Sequence, residues 1–311
     1  MQRFKNILLV LNPEVEGKAA LDKALSLARQ NEARLTLFSV VEKDPDLRRY
    51  PDSVGEILLT PAVSERRQWL QSFMPALQGH DIDGKAVAVA GISFLDIIYE
   101  VLRERHDLVI TTAEEKKGLR VRLFGTTSMH LMRKCPCPVW VIKRAQTRPY
   151  ARILAAVDPS ANDSSRNSLN PLILQLAGSI ARKESAELHI VHVWHVLGES
   201  YVRNRGMTEE QIQQARELEK EQHKQRFDDL LGKVDFTRLQ PHLHLIEGDP
   251  DERIPELAME QGIDLLVMGT VCRTGIAGFL IGNTAEEVLN QVDCSVLTLK
   301  PDGFVTPVTL E

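Results

Sequence analysis

At 311 residues the chain is about twice the length of an ordinary domain, so two domains are expected. A hydrophobic fraction of 43% and a charged fraction of 26% are those of a soluble globular protein that builds its core without staples. A net charge of −5 lacks the basic bias of a nucleic-acid binder, no apolar run is long enough to span a membrane, and four cysteines make no disulfide framework.

The N-terminus, Met1-Gln2-Arg3-Phe4-Lys5, runs straight into a strand pattern and leaves no room for a signal peptide. A reducing cytoplasm is therefore the expected location. The apolar run Asn6–Leu11 ends at Asn12-Pro13 and reads as a buried parallel strand. A helical pattern follows over Lys18–Arg29, then a strand over Arg34–Val41 and a helix over Val63–Met74. Next come a strand over Lys85–Ala90, a helix over Phe94–Arg105 and a strand over Leu108–Thr111. A helix over Thr126–Arg133 and a very apolar strand over Val139–Lys143 close the first half.

The link from Arg144 to Tyr150 is seven residues, at most about 25 Å when extended, so the halves must be close neighbours. Beyond it the pattern restarts. Strands are expected over Arg152–Val157, Glu187–Trp194, His242–Ile246, Leu265–Met268 and Val296–Lys300. A long helix opens at Thr208 with Gln211 three residues on, the spacing of a capping box. Charge on most of its faces from Glu209 to Lys224 marks a solvated surface helix.

The two halves are copies. Phe4–Pro13 matches Tyr150–Pro159 in pattern. At one constant offset Asp107, Leu108, Gly118, Leu123, Gly125, Thr127, Cys137, Val139 and Lys143 recur as Asp264, Leu265, Gly275, Leu280, Gly282, Thr284, Cys294, Val296 and Lys300. The spacing between the two matched ends differs, so the second half carries an insertion. Strand–helix alternation implies parallel pairing with right-handed crossovers, giving two tandem doubly wound five-stranded α/β domains, 1–144 and 150–311. Each last strand is an apolar edge in need of cover, and the two can cover each other as an internal pseudo-dimer.

A doubly wound sheet binds ligands at the carboxyl ends of its central strands. In the second half Ala156-Val157-Asp158 ends the first strand, and Asp158 is placed to accept hydrogen bonds from a base or ribose. Val193 and Met268 are apolar strand-end residues, suited to a pocket wall or to the core. Gly269 lets the chain turn off the fourth strand, Cys272 and Arg273 follow in the loop, and Gly282-Asn283-Thr284-Ala285 opens a helix whose free amides suit a phosphate. The alternative for both glycines is a purely structural role, and for Asp158 a turn or cap.

This arrangement resembles the ATP-binding members of the universal stress protein family, which carry G-x2-G-x9-G-[ST] after the fourth strand and an Asp after the first. The resemblance covers essentially the whole chain twice. It extends to Gly248-Asp249-Pro250, Cys294-Ser295-Val296 and the tail Lys300-Pro301-Asp302. It implies the adenine-nucleotide-hydrolase-like α/β fold, a cytoplasmic location, dimerisation through the last strands and a role in surviving stress or growth arrest. It also implies ATP as the ligand of the second domain.

There are departures. Cys272 stands at the family's second glycine, and Asn283 follows Gly282, with Thr284 one place later. In the first half the aligned residues are Asn12, Thr112 and Glu115, with only Gly125-Thr126 retained, so no ATP is expected there. The alternatives are another small or apolar ligand, a metal, or a protein-interaction scaffold. The sequence shows no nucleophile–base pair and no dinucleotide fingerprint, so catalysis is expected to amount at most to slow ATP hydrolysis or self-phosphorylation. Cys135-Pro136-Cys137 lacks a second ligand pair at zinc spacing; His242 and His244 share a strand face, with a surface zinc site as one reading and satisfied or solvated histidines, the usual outcome, as the other.

Overall fold

Strands that are apolar at every position need cover on both faces, and this need organises the molecule. The computed structural model describes residues 3–43, 52–113, 124–143, 148–159, 164–195, 208–270 and 282–310. The first half runs β1 (Asn6–Val10), α1 (Lys18–Asn31), β2 (Arg34–Glu42), α2 (Asp52–Gln71), α3 (Met74–Gln78) and β3 (Gly84–Gly91). It continues with α4 (Ser93–Glu104), β4 (Leu108–Thr112), α5 (Thr126–Lys134) and β5 (Val139–Ile142). The second half repeats the order: β6 (Arg152–Ala156), α6 (Ser164–Glu184), β7 (Glu187–Trp194), α7 (Glu209–Leu231) and β8 (His242–Glu247). Then come α8 (Pro250–Glu260), β9 (Leu265–Gly269), α9 (Asn283–Gln291) and β10 (Ser295–Leu299).

All ten strands join one sheet in the order β3-β2-β1-β4-β5-β10-β9-β6-β7-β8. Within each half every pairing is parallel, and only β5 and β10 run antiparallel. Ile7 and Leu9 enter one core and Leu8 the other; Ile153 and Leu154 divide in the same way. The expected strands are all present, with ends shifted by a residue or so. The second helix differs more. It begins at Asp52, continues through Pro61 and ends at Gln71, before the short α3.

The duplicated residues have duplicated duties. The Asp107 carboxylate accepts from the backbone N–H of Lys5 at 2.6 Å and of Asn6 at 3.1 Å. Asp264 accepts from Ala151 at 2.7 Å and Arg152 at 3.0 Å. Cys137 and Cys294 are both buried, and burial pushes the Cys294 thiol up to about 12. Cys135 and Cys137 lie with their sulfurs 3.6 Å apart inside the core.

The expected capping box is formed: Gln211 N–H donates to Thr208 Oγ1 at 3.3 Å, and Thr208 N–H to Gln211 Oε1 at 3.0 Å. Helix α7 is not wholly solvated, because Ile212, Phe227 and Leu230 are buried.

The seam between the halves is the pairing of the two last strands, with Val139 opposite Thr298, Trp140 opposite Leu297 and Val141 opposite Val296. The pairing through last strands that the resemblance implies is thus met inside one chain. Both edges of β5 and of β10 are occupied. Further ties cross the seam: Lys143 to Asp293 at 2.8 Å, Arg133 to Glu286, and Lys23 to Glu184, whose carboxylate also accepts from Tyr150 N–H at 2.6 Å. Thr298 Oγ1 donates to the Val139 carbonyl at 3.2 Å.

Lys300 reaches furthest. Its buried ammonium donates to the carbonyls of Met132 (2.8 Å) and Arg133 (3.2 Å) at the end of α5, and to Thr270 Oγ1 (2.5 Å). This satisfies carbonyls that a helix end leaves open. Burial pushes the Lys300 amine down to about 7. Between about pH 7 and about pH 10 the unfolded chain therefore holds a proton that the folded chain has released, so stability gains with rising pH across this window. Urea unfolding of wild type and Lys300→Met should show wild type gaining on the variant, by a few kcal/mol at most, as pH rises through that range. A pH-independent difference would show that the amine is solvated.

Candidate functional site

From β6 the chain passes outward to β7 and β8 on one side, and returns to β9 and β10 on the other. The carboxyl ends diverge there, opening the crevice that a change of direction in strand order creates. A cavity of about 310 Å³ fills it. Ala156, Val157 and Asp158 line it from the end of β6, Val193 from β7, and Met268 and Gly269 from β9. Gly282, Asn283, Thr284 and Ala285 line it from the start of α9. Of the second-half residues read above as a nucleotide cradle, every one that the structure describes is on this cavity. Cys272 and Arg273 lie outside the described residues, as does Glu115 in the first half.

The start of α9 has the right form for an anion. Gly282 is its N-cap at φ −62° and ψ 140°, and as glycine it offers no side chain of its own to the first-turn amides. Gly269 serves differently from expectation. It does not turn the chain but remains in β9, paired with Leu299. A Cβ there would stand 2.6 Å from Leu169 Cδ2, so α6 packs closely over this position and a larger residue would have to move the Leu169 side chain.

Several lining residues carry no local signal in the sequence. Leu169, Asn170 and Ile173 come from α6, Val191 from β7, and Pro250 and Ile254 from α8. Asn170, 3% exposed, clamps the backbone of Asp158: its Oδ1 accepts from Asp158 N–H at 3.0 Å and its Nδ2 donates to Asp158 C=O at 2.8 Å. Asn170-Pro171 reads locally as a turn signal, yet both residues lie within α6. Asn170→Ala leaves two polar groups at Asp158 without their partner, which should lower stability by about 1–3 kcal/mol. A thermal melt within a degree of wild type would show the clamp to be idle.

On the opposite face of β7, His192 Nδ1 lies 3.3 Å from the Val157 carbonyl and its Nε2 lies 2.8 Å from His223 Nδ1. Burial pushes His192 down to about 4, against the opposing pull of the Asp158 carboxylate. A neutral imidazole thus braces the strand end that carries Asp158.

The first half is built otherwise at the same place. Asn12 Oδ1 accepts from Glu14 N–H at 3.1 Å in a local turn, and Thr112 is buried at the end of β4. Ile7 pairs with Leu35 and Ile153 with Leu188, so counting on places the buried ring of Phe38 where the second half has Val191. Ala33 N–H donates to Ala28 C=O as Ala186 N–H does to Ala181 C=O, which sets Gly17 in the place of Asn170. The clamp is absent there, and α1 begins only at Lys18.

Comparison with known proteins gives one answer. The sequence model of the universal stress protein family matches residues 3–143 and again 149–300. The chain is 28% identical to universal stress protein E of Escherichia coli K12, across 100% of this chain and 98% of that one. It is 26% identical to universal stress protein E of Photorhabdus laumondii, across 99% and 98%. A solved structure of a protein of unknown function from Pseudomonas aeruginosa PAO1 superposes with a TM-score of 0.71 at 28% identity, covering 97% of this chain and 95% of that one.

Proposed function

The chain belongs to the universal stress protein family, and on that premise we propose that the cavity of its second half binds ATP as a sensing ligand rather than as a substrate. Family membership supports a stress-response role. The observation that carries the proposal is convergence: residues from β6, β7, β9 and α9, singled out for nucleotide chemistry, line one cavity. Ala156, Val193 and Met268 offer an apolar wall to the base. Asp158 accepts from the base or ribose, and the amides of Asn283, Thr284 and Ala285 meet the phosphates. Among the described lining residues Asp158 alone is ionisable. That supplies no acid–base pair, which favours retention over turnover. The first half, with Asn12, Thr112 and Glu115 at the matching positions, takes no part in binding ATP.

No helix among the described residues is long and apolar enough to cross a membrane. Calorimetry with ATP on the full chain should show one saturable site of weak-to-moderate affinity. Absence of heat at ATP concentrations far above the protein would end this reading. The aliphatic lining of Leu169, Ile173, Val191 and Ile254 favours a second reading, a small apolar ligand, which native mass spectrometry of the freshly purified chain would detect.

A further inference from the structure

At the other end of β7 and β8, away from the cavity, stands a cluster of histidines that binding at the cavity does not use. We propose that Glu187, His189 and His242 form a binding site for a divalent transition-metal ion, with His244 holding His189 in the ligating tautomer. The parallel register sets His189 beside His242 and Val191 beside His244. Alternate strand residues share a face, so Glu187, His189, His242 and His244 all project to one side of the sheet.

The rings of His189 and His242 stack with centroids 4.8 Å apart, and those of His189 and His244 are 5.3 Å apart at an interplanar angle of 8°. One ligand atom from each of Glu187, His189 and His242 lies within 4.8 Å of the other two.

His189 is the anchor. It is 4% exposed, and its Nδ1 lies 3.0 Å from His244 Nε2. Its other nitrogen, Nε2, is buried with no hydrogen-bond partner and faces the Glu187 carboxylate at 3.8 Å. A buried ring nitrogen left without a partner calls for a reason. With the Nδ1 proton donated to His244, the Nε2 lone pair is left on the side of the Glu187 carboxylate. Metal-bound histidines are commonly fixed by such a bond from the far ring nitrogen.

Glu187 and His242 are exposed at the surface. They can close to the roughly 3.3 Å between ligand atoms that bonds of about 2.1 Å impose in a tetrahedron. A hydrogen bond from Arg152 Nε at 3.1 Å orients Glu187 Oε2, the oxygen that faces His189, and leaves its second lone pair and Oε1 for the metal. Two imidazoles and one carboxylate suit Zn²⁺, Ni²⁺ or Cu²⁺ rather than Mg²⁺ or Ca²⁺.

The test is titration of the full chain with Zn²⁺ by calorimetry and with Co²⁺ by visible absorption, near neutral pH. One equivalent should bind, released on acidification as the imidazoles take up protons. His242→Asn and Glu187→Gln, both at exposed positions, should each weaken it at least tenfold. His244→Phe removes no ligand yet should weaken it about 10–100-fold by freeing the tautomer. His223→Asn, in the separate His192 pair, should leave affinity and the Co²⁺ spectrum unchanged. Absence of a saturable equivalent would overturn the assignment, as would affinity that is indifferent to His242 and Glu187 or that depends on His223.

Discussion

Leu297→Asp should destabilise the whole chain by about 4 kcal/mol or more, enough to unfold a protein of ordinary stability in mild urea. Leu297 is 1% exposed in β10, opposite Trp140 of β5 and beside Val267 of β9. Truncating a core leucine removes about 2–5 kcal/mol. The substitution also buries a carboxyl where the adjoining strands present aliphatic and aromatic side chains, and such a group takes up a proton rather than remain charged. Its folded pKa must then lie above the unfolded value, so the loss should deepen as pH rises from about 4 toward neutrality. Leu297→Met, which keeps volume and apolarity, should lose less than about 1.5 kcal/mol. Because the seam belongs to both halves, one shifted transition is expected rather than the loss of one half alone. Equal urea midpoints for Leu297→Asp and wild type would mean that the two sheets do not join through these strands.

Gly282→Asp should separate binding from folding. At φ −62° and ψ 140° the position is open to any residue, and aspartate is a favoured N-cap, so stability should hold within about 0.5 kcal/mol. The new carboxylate accepts the first-turn amides of α9 and places negative charge where a phosphate would sit. ATP affinity should fall about 100-fold or more, equivalent to about 2.7 kcal/mol. Adenosine, without phosphates, should bind the variant and the wild type alike. Undiminished ATP binding by the variant would remove α9 from the site. An equal loss of ATP and adenosine would point to a collapsed pocket instead.

The inner strands and their order in the chain were legible because they are covered on both faces, which forces unbroken apolar runs such as Ile7-Leu8-Leu9 and Leu265-Leu266-Val267. The duplication was legible for a chemical reason: Asp107 and Asp264 each hold the entry to a first strand, and neither carboxylate can be exchanged without loss of two backbone bonds. Helix α2 was half legible. Pro61 reads as a breaker, yet packing of Leu70 and its neighbours against the sheet carries the helix through it.

The list of site residues divides along the same line. Asp158, Gly282 and the residues around them announce themselves because strand ends and helix starts have local signatures. The differences of the first half at Asn12, Thr112 and Glu115 were legible in the same way, since comparing the halves needs no fold. Asn170, Leu169 and Ile173 do not, because nothing local says that α6 crosses the end of β6. Gly269 was singled out correctly but for a turn, and its contact with Leu169 became visible only with α6 in place.

Local pattern, then, settled the fold class, the repeat and the strand-end half of the cavity, since these rest on neighbours in sequence. Lys300 bonded to α5 of the other half, the seam of Trp140 against Leu297, and His189 locked by His244 rest on pairs brought together by register and topology. Such contacts are written in no single segment, because the free energy that selects them comes from burying many segments at once.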